Sequence, residues 1–268
     1  MDSTPTAGQS VGPEVSYFER ILNPAAILRY RNDYLRLTST LTYSYLLVLP
    51  LLLLYEAGAV IVEQSGVTLT ADSWIKGFLS GIGLNNTISL ALLLLFIGIG
   101  VVWYERRHGI PIRIRYLPLM AAESIFYGIA LGMLVGSIVG GIVGYHSGPA
   151  LQAAGGGSDA LFTGLVLSLG AGIYEEIVFR LILVTLLFAL LSLIIKKENL
   201  RYLIAAIIGA LIFSAVHYTG SHGDELQLGS FLFRFLMGLA LNALMLVRGF
   251  GITAAAHAFY DVFVTLKG

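Results

Sequence analysis

The chain has 268 residues, of which 57% are hydrophobic and only 12% are charged. A soluble domain carries about 25% charged residues, so this charged fraction is too small to cover a soluble protein's surface. The 16 basic and 16 acidic residues give a net charge of zero, which provides no attraction to nucleic acid. The composition therefore excludes a soluble enzyme, a disordered chain and a nucleic-acid-binding protein. It predicts an integral membrane protein, and the absence of Cys excludes disulfides and a Cys nucleophile.

The N-terminal region precedes the first long apolar run. Residues 1–16 are polar and rich in Ser, Thr, Gly and Pro, which predicts a disordered tail. Residues 17–37 mix Arg with Tyr, Leu and Ile, a pattern typical of a short helix in the membrane interface. A second interfacial segment is predicted at 72–83. Since no linker interrupts the remainder, we interpret residues 17–268 as one membrane-embedded domain.

Seven apolar runs are long enough to cross a bilayer, which requires about 20 residues per helix. They lie at residues 43–63, 87–104, 117–145, 160–195, 201–218, 229–247 and 250–266. Basic residues flank these runs at four places: Arg20, Arg29, Arg31 and Arg36; Arg106, Arg107, Arg113 and Arg115; Lys196, Lys197 and Arg201; and Arg248. Seven spans put all four places on one side, which the positive-inside rule makes cytoplasmic. We predict an all-α transmembrane bundle of about seven spans, multi-pass in the cell membrane, with a cytoplasmic N-terminus.

Glycines recur every four residues in the third run, at Gly128, Gly132, Gly136, Gly140 and Gly144. Such a ridge allows another helix to pack closely. The partner could be a helix of the same chain or a second copy in a homodimer. The sequence favours internal packing and leaves the homodimer open.

Polar residues deep inside the fourth run predict a functional site. Ionisable residues in a span are costly unless they are paired or solvated. Glu176 and Arg180 lie one helical turn apart and are spaced to pair, whereas Glu175 points about 100° away. One acid is therefore neutralised locally and the other requires a partner elsewhere. At 36 residues, this run must also tilt, protrude or break within the membrane.

Two later runs supply candidate partners. Phe213 and His217 lie one turn apart near the end of the fifth run, and His257 and Asp261 lie one turn apart in the seventh. Two glutamates, two imidazoles, an Arg and an Asp in three spans exceed what helix packing requires. They are typical of a general base with a polarising hydrogen-bond donor. For the other intramembrane charges, Glu56, Glu123 and Arg234, we expect structural roles.

Together these residues form three motifs, EExxxR at 175–180, FxxxH at 213–217 and HxxxD at 257–261. In this order, each inside an apolar run, they resemble the CAAX prenyl protease and bacteriocin-processing (CPBP, or Abi) family of membrane proteins. The resemblance covers about residues 160–266. It implies an intramembrane endopeptidase that cleaves a membrane-associated or C-terminally lipidated substrate with a glutamate-activated water and no metal or other cofactor.

The resemblance also implies roles for single residues. Glu175 would be the base, and His217 would hold or polarise the water. His257 with Asp261 would form the oxyanion-stabilising side, while Glu176, Arg180 and Phe213 would support the site. Prenyl proteases have Asn at the position of Asp261, and an ionised Asp cannot donate a hydrogen bond to an oxyanion. We therefore expect Asp261 to orient the ring of His257, which would then donate.

Three alternatives stay open at this point. Glu175, His217 and His257 could ligate zinc in a metalloprotease, although the HExxH signature is absent. The chain could be a non-proteolytic membrane scaffold or immunity protein on the same fold. A transporter with a proton relay is a third class, and no inverted repeat supports it.

One feature of the spacing opposes a single site. Glu175 and His217 lie 16–21 residues from the basic cluster at 196–201, whereas His257 lies nine residues from Arg248. Ideal helices would separate them in depth by roughly 10–15 Å. The seventh run must therefore begin deep in the membrane, or the fourth must be broken or displaced.

Overall fold

The computed structural model describes residues 33–62, 69–81, 87–145, 158–219 and 223–267. Within these ranges the chain forms helices and no strand, which confirms the all-α prediction. The predicted tail at 1–16 lies outside the described residues, as do residues 17–32 of the predicted interfacial helix.

Ten helices and one π-helical segment follow one another in the described residues. They are α1 (Asp33–Thr38), α2 (Leu41–Val62), α3 (Thr70–Gly81), α4 (Thr87–Arg107), α5 (Tyr116–Val143), α6 (Ser158–Gly170), the π segment (Ala171–Val184), α7 (Thr185–Leu191), α8 (Glu198–Val216), α9 (Leu228–Arg248) and α10 (Phe250–Lys267). Among the described residues, α2, α5, α8 and α9 are long and apolar enough to cross a membrane. The chain is thus an all-α integral membrane protein. The count of seven spans and the cytoplasmic N-terminus stay predictions.

Helix α10 lies at the centre of the bundle, packed against α2, α5, α6, α9 and the π segment. Its small residues allow this, because Ala254, Ala255, Ala256 and Ala258 are all fully buried. Short side chains let neighbouring backbones approach closely, which is how membrane helices associate when the surrounding lipid is as apolar as they are. His257 and Asp261 are therefore carried on a helix that packs against five other segments.

The glycine ridge of α5 packs within the chain. A Cβ atom at Gly128 would meet the backbone of α10 at Ala256 and Tyr260, and one at Gly132 would meet the ring of Tyr260. Gly144 ends the helix in a left-handed conformation, with φ of 68°. The internal-packing interpretation therefore holds for the first half of the ridge. A homodimer through this helix stays a prediction, and it would have to use the rest of the ridge.

The fourth apolar run follows a single helical path whose middle part changes type. Over Ala171–Val184 the hydrogen bonds connect residues i and i+5, which makes the helix wider than an α-helix. The α-helical geometry predicted for this stretch is therefore wrong. π-helical turns occur frequently at functional sites, and this segment carries Glu175, Glu176 and Arg180.

Arg248 was predicted to mark the cytoplasmic surface, and the structure corrects this. The residue is buried, and its guanidinium binds Glu123 of α5 through Nε–Oε1 and Nη2–Oε2 contacts of 2.5 and 2.7 Å. Glu123 lies seven residues into α5, about 10 Å from the start of that helix. Gly249, with φ of 81°, then turns the chain directly into α10. Helix α10 thus follows a buried residue directly, and the backbone N–H of Gly251 donates to Ser44 Oγ near the start of α2 at 3.0 Å.

The predicted interfacial segment at 72–83 falls largely on α3. Asp72 anchors this helix, because it accepts a hydrogen bond from Tyr55 of α2 at 2.7 Å and pairs with Lys76 at 2.8 Å. Trp74 is 46% exposed and contacts Phe179 of the π segment, with ring centroids 6.3 Å apart. The helix therefore packs beside the segment that carries the two glutamates.

Candidate active site

Three elements bring the residues of the three motifs together. The π segment carries the glutamates, the end of α8 carries His217, and α10 carries His257 and Asp261. Gly172 allows the π segment to approach α10, because a Cβ atom there would overlap Ala258, the neighbour of His257. The residues that the sequence singled out therefore occupy one location.

Glu176 is fully buried and binds two residues through the same oxygen. Its Oε1 lies 3.1 Å from Nη1 of Arg180, so the predicted ion pair is present. The same oxygen lies 2.8 Å from Nδ1 of His257. Since a carboxylate oxygen accepts, Nδ1 donates, and Glu176 fixes the ring with Nε2 turned toward Glu175. The hydrogen bond expected from Asp261 is therefore made by Glu176, and a role for Asp261 stays a prediction.

Asp261 lies on the opposite side of the imidazole. Its Oδ2 is 3.5 Å from Nε2 of His257, which is longer than a normal hydrogen bond. Nε2 thus lies between Asp261 and Glu175, while Nδ1 is occupied by Glu176. The two adjacent glutamates approach different nitrogens of one ring.

Glu175 lies between the two histidines without contacting either directly. Its Oε2 is 3.9 Å from Nε2 of His217 and 3.9 Å from Nε2 of His257. These distances are too long for hydrogen bonds. The Glu175 side chain is 14% exposed and that of His217 is 26% exposed, so both are partly accessible, whereas His257 is buried.

His217 stands at the C-terminal end of α8. Its Nδ1 lies 2.8 Å from the carbonyl oxygen of Phe213, one turn earlier. A carbonyl oxygen can only accept, so Nδ1 carries the proton and Nε2 of the neutral ring offers its lone pair toward Glu175. The backbone thereby selects the tautomer of this histidine.

Phe213 forms the apolar wall of the site. Its ring packs edge-on against His217, with centroids 4.9 Å apart, and lies 6.2 Å from the ring of His257. The Arg180 guanidinium lies 4.4 Å from the centroid of the Phe213 ring. The spacing FxxxH therefore places an aromatic ring against both imidazoles and supports the buried cation.

The other intramembrane charges have structural partners, as expected. Glu56 accepts a hydrogen bond from Tyr174, Glu123 binds Arg248, and Arg234 pairs with Asp224. Sequence reasoning missed the connection of Arg234 to the site, which passes through Tyr218 and Asp224 on either side of the α8–α9 connection. The only sequence signal was its position in a span between the second and third motifs.

The described part of the chain contains no group of three or more His, Cys, Asp or Glu residues arranged to hold a metal ion. The site consists of the carboxylates of Glu175 and Asp261 and the Nε2 atoms of His217 and His257. Such a set can accept a proton at Glu175 and donate one at Nε2 of His257.

Comparison with known proteins agrees with the motifs. Residues 157–263 match the family model described as type II CAAX prenyl endopeptidase Rce1-like. No curated protein and no solved structure matches the chain. The matched region contains all three motifs and confirms the resemblance of residues 160–266.

Proposed function

Because residues 157–263 match the model of the type II CAAX prenyl endopeptidase Rce1-like family, we propose that the chain is a membrane protease that hydrolyses peptide bonds with a water activated by Glu175. One observation carries the proposal. A single oxygen of Glu175 lies 3.9 Å from the Nε2 atoms of both His217 and His257. The three atoms surround a position from which a water can be deprotonated and a carbonyl polarised.

The spacing suits a shared water molecule. A water about 2.8 Å from Oε2 of Glu175 and from Nε2 of His217 would see the two atoms at an angle of about 90°. It would donate one hydrogen to the carboxylate and the other to the unprotonated imidazole nitrogen. Its lone pair would then face the substrate carbonyl. In this mechanism His217 orients the water and Glu175 takes its proton.

His257 would act on the opposite side of the scissile bond. Glu176 accepts from Nδ1–H, so Nε2 would donate to a developing oxyanion in the doubly protonated ring, a form that the carboxylates of Glu176 and Asp261 on its two sides favour. Asp261 lies beside Nε2 and would hold this proton in place until the substrate carbonyl replaces it. This assigns Asp261 a role different from that of a donating Asn.

The steps balance without a cofactor. The water oxygen forms a bond to the carbonyl carbon while its proton passes to Glu175, and the oxyanion accepts a hydrogen bond from His257. Collapse of the tetrahedral intermediate breaks the carbon–nitrogen bond. The proton on Glu175 passes to the leaving amine, which regenerates the carboxylate.

For the substrate we propose a peptide held at the membrane by a C-terminal lipid. The test uses the purified chain in lipid nanodiscs with quenched fluorescent peptides that are identical except for a farnesyl group on a cysteine near the C-terminus. We expect wild-type protein to cleave the lipidated peptide, with the product identified by mass spectrometry, and Glu175→Gln to leave it intact. Cleavage should also survive exhaustive chelation.

Other outcomes identify the alternatives. Activity that is lost with chelator and restored by stoichiometric zinc would assign the chain to the metalloproteases. Equal cleavage of both peptides would remove the lipid requirement. Folded wild-type protein that binds the peptides without cleaving them would support the scaffold alternative.

A further inference from the structure

Two residues that follow His217, Tyr218 and Asp224, are bound to one buried guanidinium. Arg234 of α9 donates from Nη1 to the Tyr218 hydroxyl at 2.8 Å and to Ser230 Oγ at 2.9 Å, and Nη2 pairs with Asp224. Tyr218 directly follows His217 in the chain. Arg234 therefore contacts the residue after the histidine and a carboxylate in the segment that leads into α9.

Asp224 in turn contacts His217 itself. Its backbone N–H donates to the carbonyl oxygen of His217 at 2.9 Å. His217 ends α8, where the last carbonyl groups have no partner inside the helix. Asp224 supplies that partner, and its side chain is held by Arg234. The path from Arg234 to the backbone of His217 therefore passes through a single residue.

We infer that Arg234 and Asp224 form a latch that positions His217 for the reaction. The inference rests on the proposed function, in which His217 orients the attacking water. The last turn of a helix opens easily, and the Nδ1–H bond that orients this imidazole ends on a carbonyl in that same turn. Opening of the turn would release the ring, and a displacement of about 1 Å can lower a rate by 10²-fold.

The same helix provides a matched control. Arg248, at the other end of α9, pairs with Glu123 and binds Thr38, and these contacts include none of the motif residues. Both pairs join a buried guanidinium of α9 to a carboxylate on another segment. A general loss of stability should follow from breaking either pair, whereas a loss of His217 positioning should follow only from breaking the latch.

The kinetic test compares Asp224→Asn with Glu123→Gln, well below the unfolding temperature of both variants. We expect kcat of Asp224→Asn to fall at least about tenfold with little change in KM, since the group that orients water is displaced and the cleft is kept. Asp224→Glu should recover part of the rate. Glu123→Gln should keep the wild-type kcat. Equal falls of kcat in both variants, or a change in KM alone for Asp224→Asn, would overturn the inference.

A second measurement does not depend on proteolysis. In ¹⁵N-histidine-labelled protein, with the His217 signals assigned by their loss in His217→Gln, we expect a ring protonated at Nδ1 only. Asp224→Asn should show a mixture of both tautomers, and Glu123→Gln should match wild type. If wild type cleaves no peptide but the ring responds in this way, the proposed function fails and the latch stands. A ring unchanged by Asp224→Asn overturns the latch whatever the kinetics show.

Discussion

Glu175 and Glu176 are adjacent in the sequence, but their surroundings assign them different chemistry. Glu175 is partly exposed, and its Oε2 lies 3.9 Å from the Nε2 atoms of both His217 and His257. Glu176 is fully buried and binds Arg180 and the Nδ1 atom of His257. A carboxylate without short contacts to the histidines suits a base, whereas one bound by a guanidinium and an imidazole N–H suits a residue that positions the ring of His257.

Glu175→Gln tests the base. We expect the variant to keep the thermal stability of wild type in detergent, because no short contact of the carboxylate to the histidines is lost. Its turnover should fall by about 10²–10⁴-fold or more, since an amide cannot take a proton from water. Cleavage at the wild-type rate by the folded variant would contradict the glutamate mechanism.

Glu176→Gln tests whether Glu176 positions the ring of His257. Arg180 is 1% exposed and would lose its counter-ion, and breaking a buried ion pair costs about 3–5 kcal/mol. Stability and cleavage should both fall, because the ring of His257 also loses its charged partner. Thermal unfolding and cleavage rate measure the two effects separately.

The double variant Glu176→Gln/Arg180→Met separates the two roles of Glu176. Removing both charges avoids an unpaired guanidinium, so stability should recover by most of what the single variant lost. Activity should stay low because His257 is still held by a neutral amide. Recovery of both properties would mean that Glu176 acts on stability alone.

At the scale of elements, the contact between the π segment and α10 sets the distance between the glutamates and His257. Gly172 allows a close approach, because a Cβ atom there would lie within 2.6 Å of Ala258. Neither neighbour can move away easily, since Gly172, His257 and Ala258 are all buried. The packing of two backbones therefore determines the geometry of the site.

Gly172→Ala should destabilise the protein by about 1–3 kcal/mol through overpacking and should lower kcat, because the added methyl pushes Ala258 and its neighbour His257 away. The matched control is Gly141→Ala in α5, where the added methyl meets nothing within 4 Å. Alanine has the better helix propensity, so the control should be neutral or stabilising by up to about 1 kcal/mol. Thermal unfolding and kcat of both variants test this, and a functional Gly172→Ala protein of wild-type stability would refute the packing argument.

At the scale of the whole molecule, the seven-span topology can be tested directly because the chain contains no native Cys. Single cysteines at the exposed positions Arg106, Lys196, Glu225 and Lys267 report the side of the membrane to an impermeant thiol reagent. With a cytoplasmic N-terminus and seven spans, Arg106→Cys and Lys196→Cys should be protected in intact cells. Glu225→Cys and Lys267→Cys should be labelled. Labelling of Lys196→Cys and Lys267→Cys from the same side would mean an even number of crossings between them and would exclude the seven-span topology.

The sequence by itself determined the class of the molecule and the identity of the candidate site residues. Apolar runs of sufficient length require helices in a bilayer, because backbone polar groups in lipid must be satisfied within the segment. Ionisable residues deep inside such runs are costly, so the three motifs stood out against an apolar background. The pairing of Glu176 with Arg180 followed from local spacing and survived the change to a π-helix.

The tertiary structure decided which groups meet. Glu176 and His257 are 81 residues apart, and their contact depends on the depth and rotation of two packed helices. Hydropathy does not encode these quantities, so Asp261 was expected in the place that Glu176 takes. The same reason explains Arg248. Its position in the sequence predicted the membrane surface, but in the structure it is paired with Glu123 of α5 inside the bundle. An apolar run in the sequence predicts that its residues lie in the membrane. Which residue each of them contacts depends on how the helices pack.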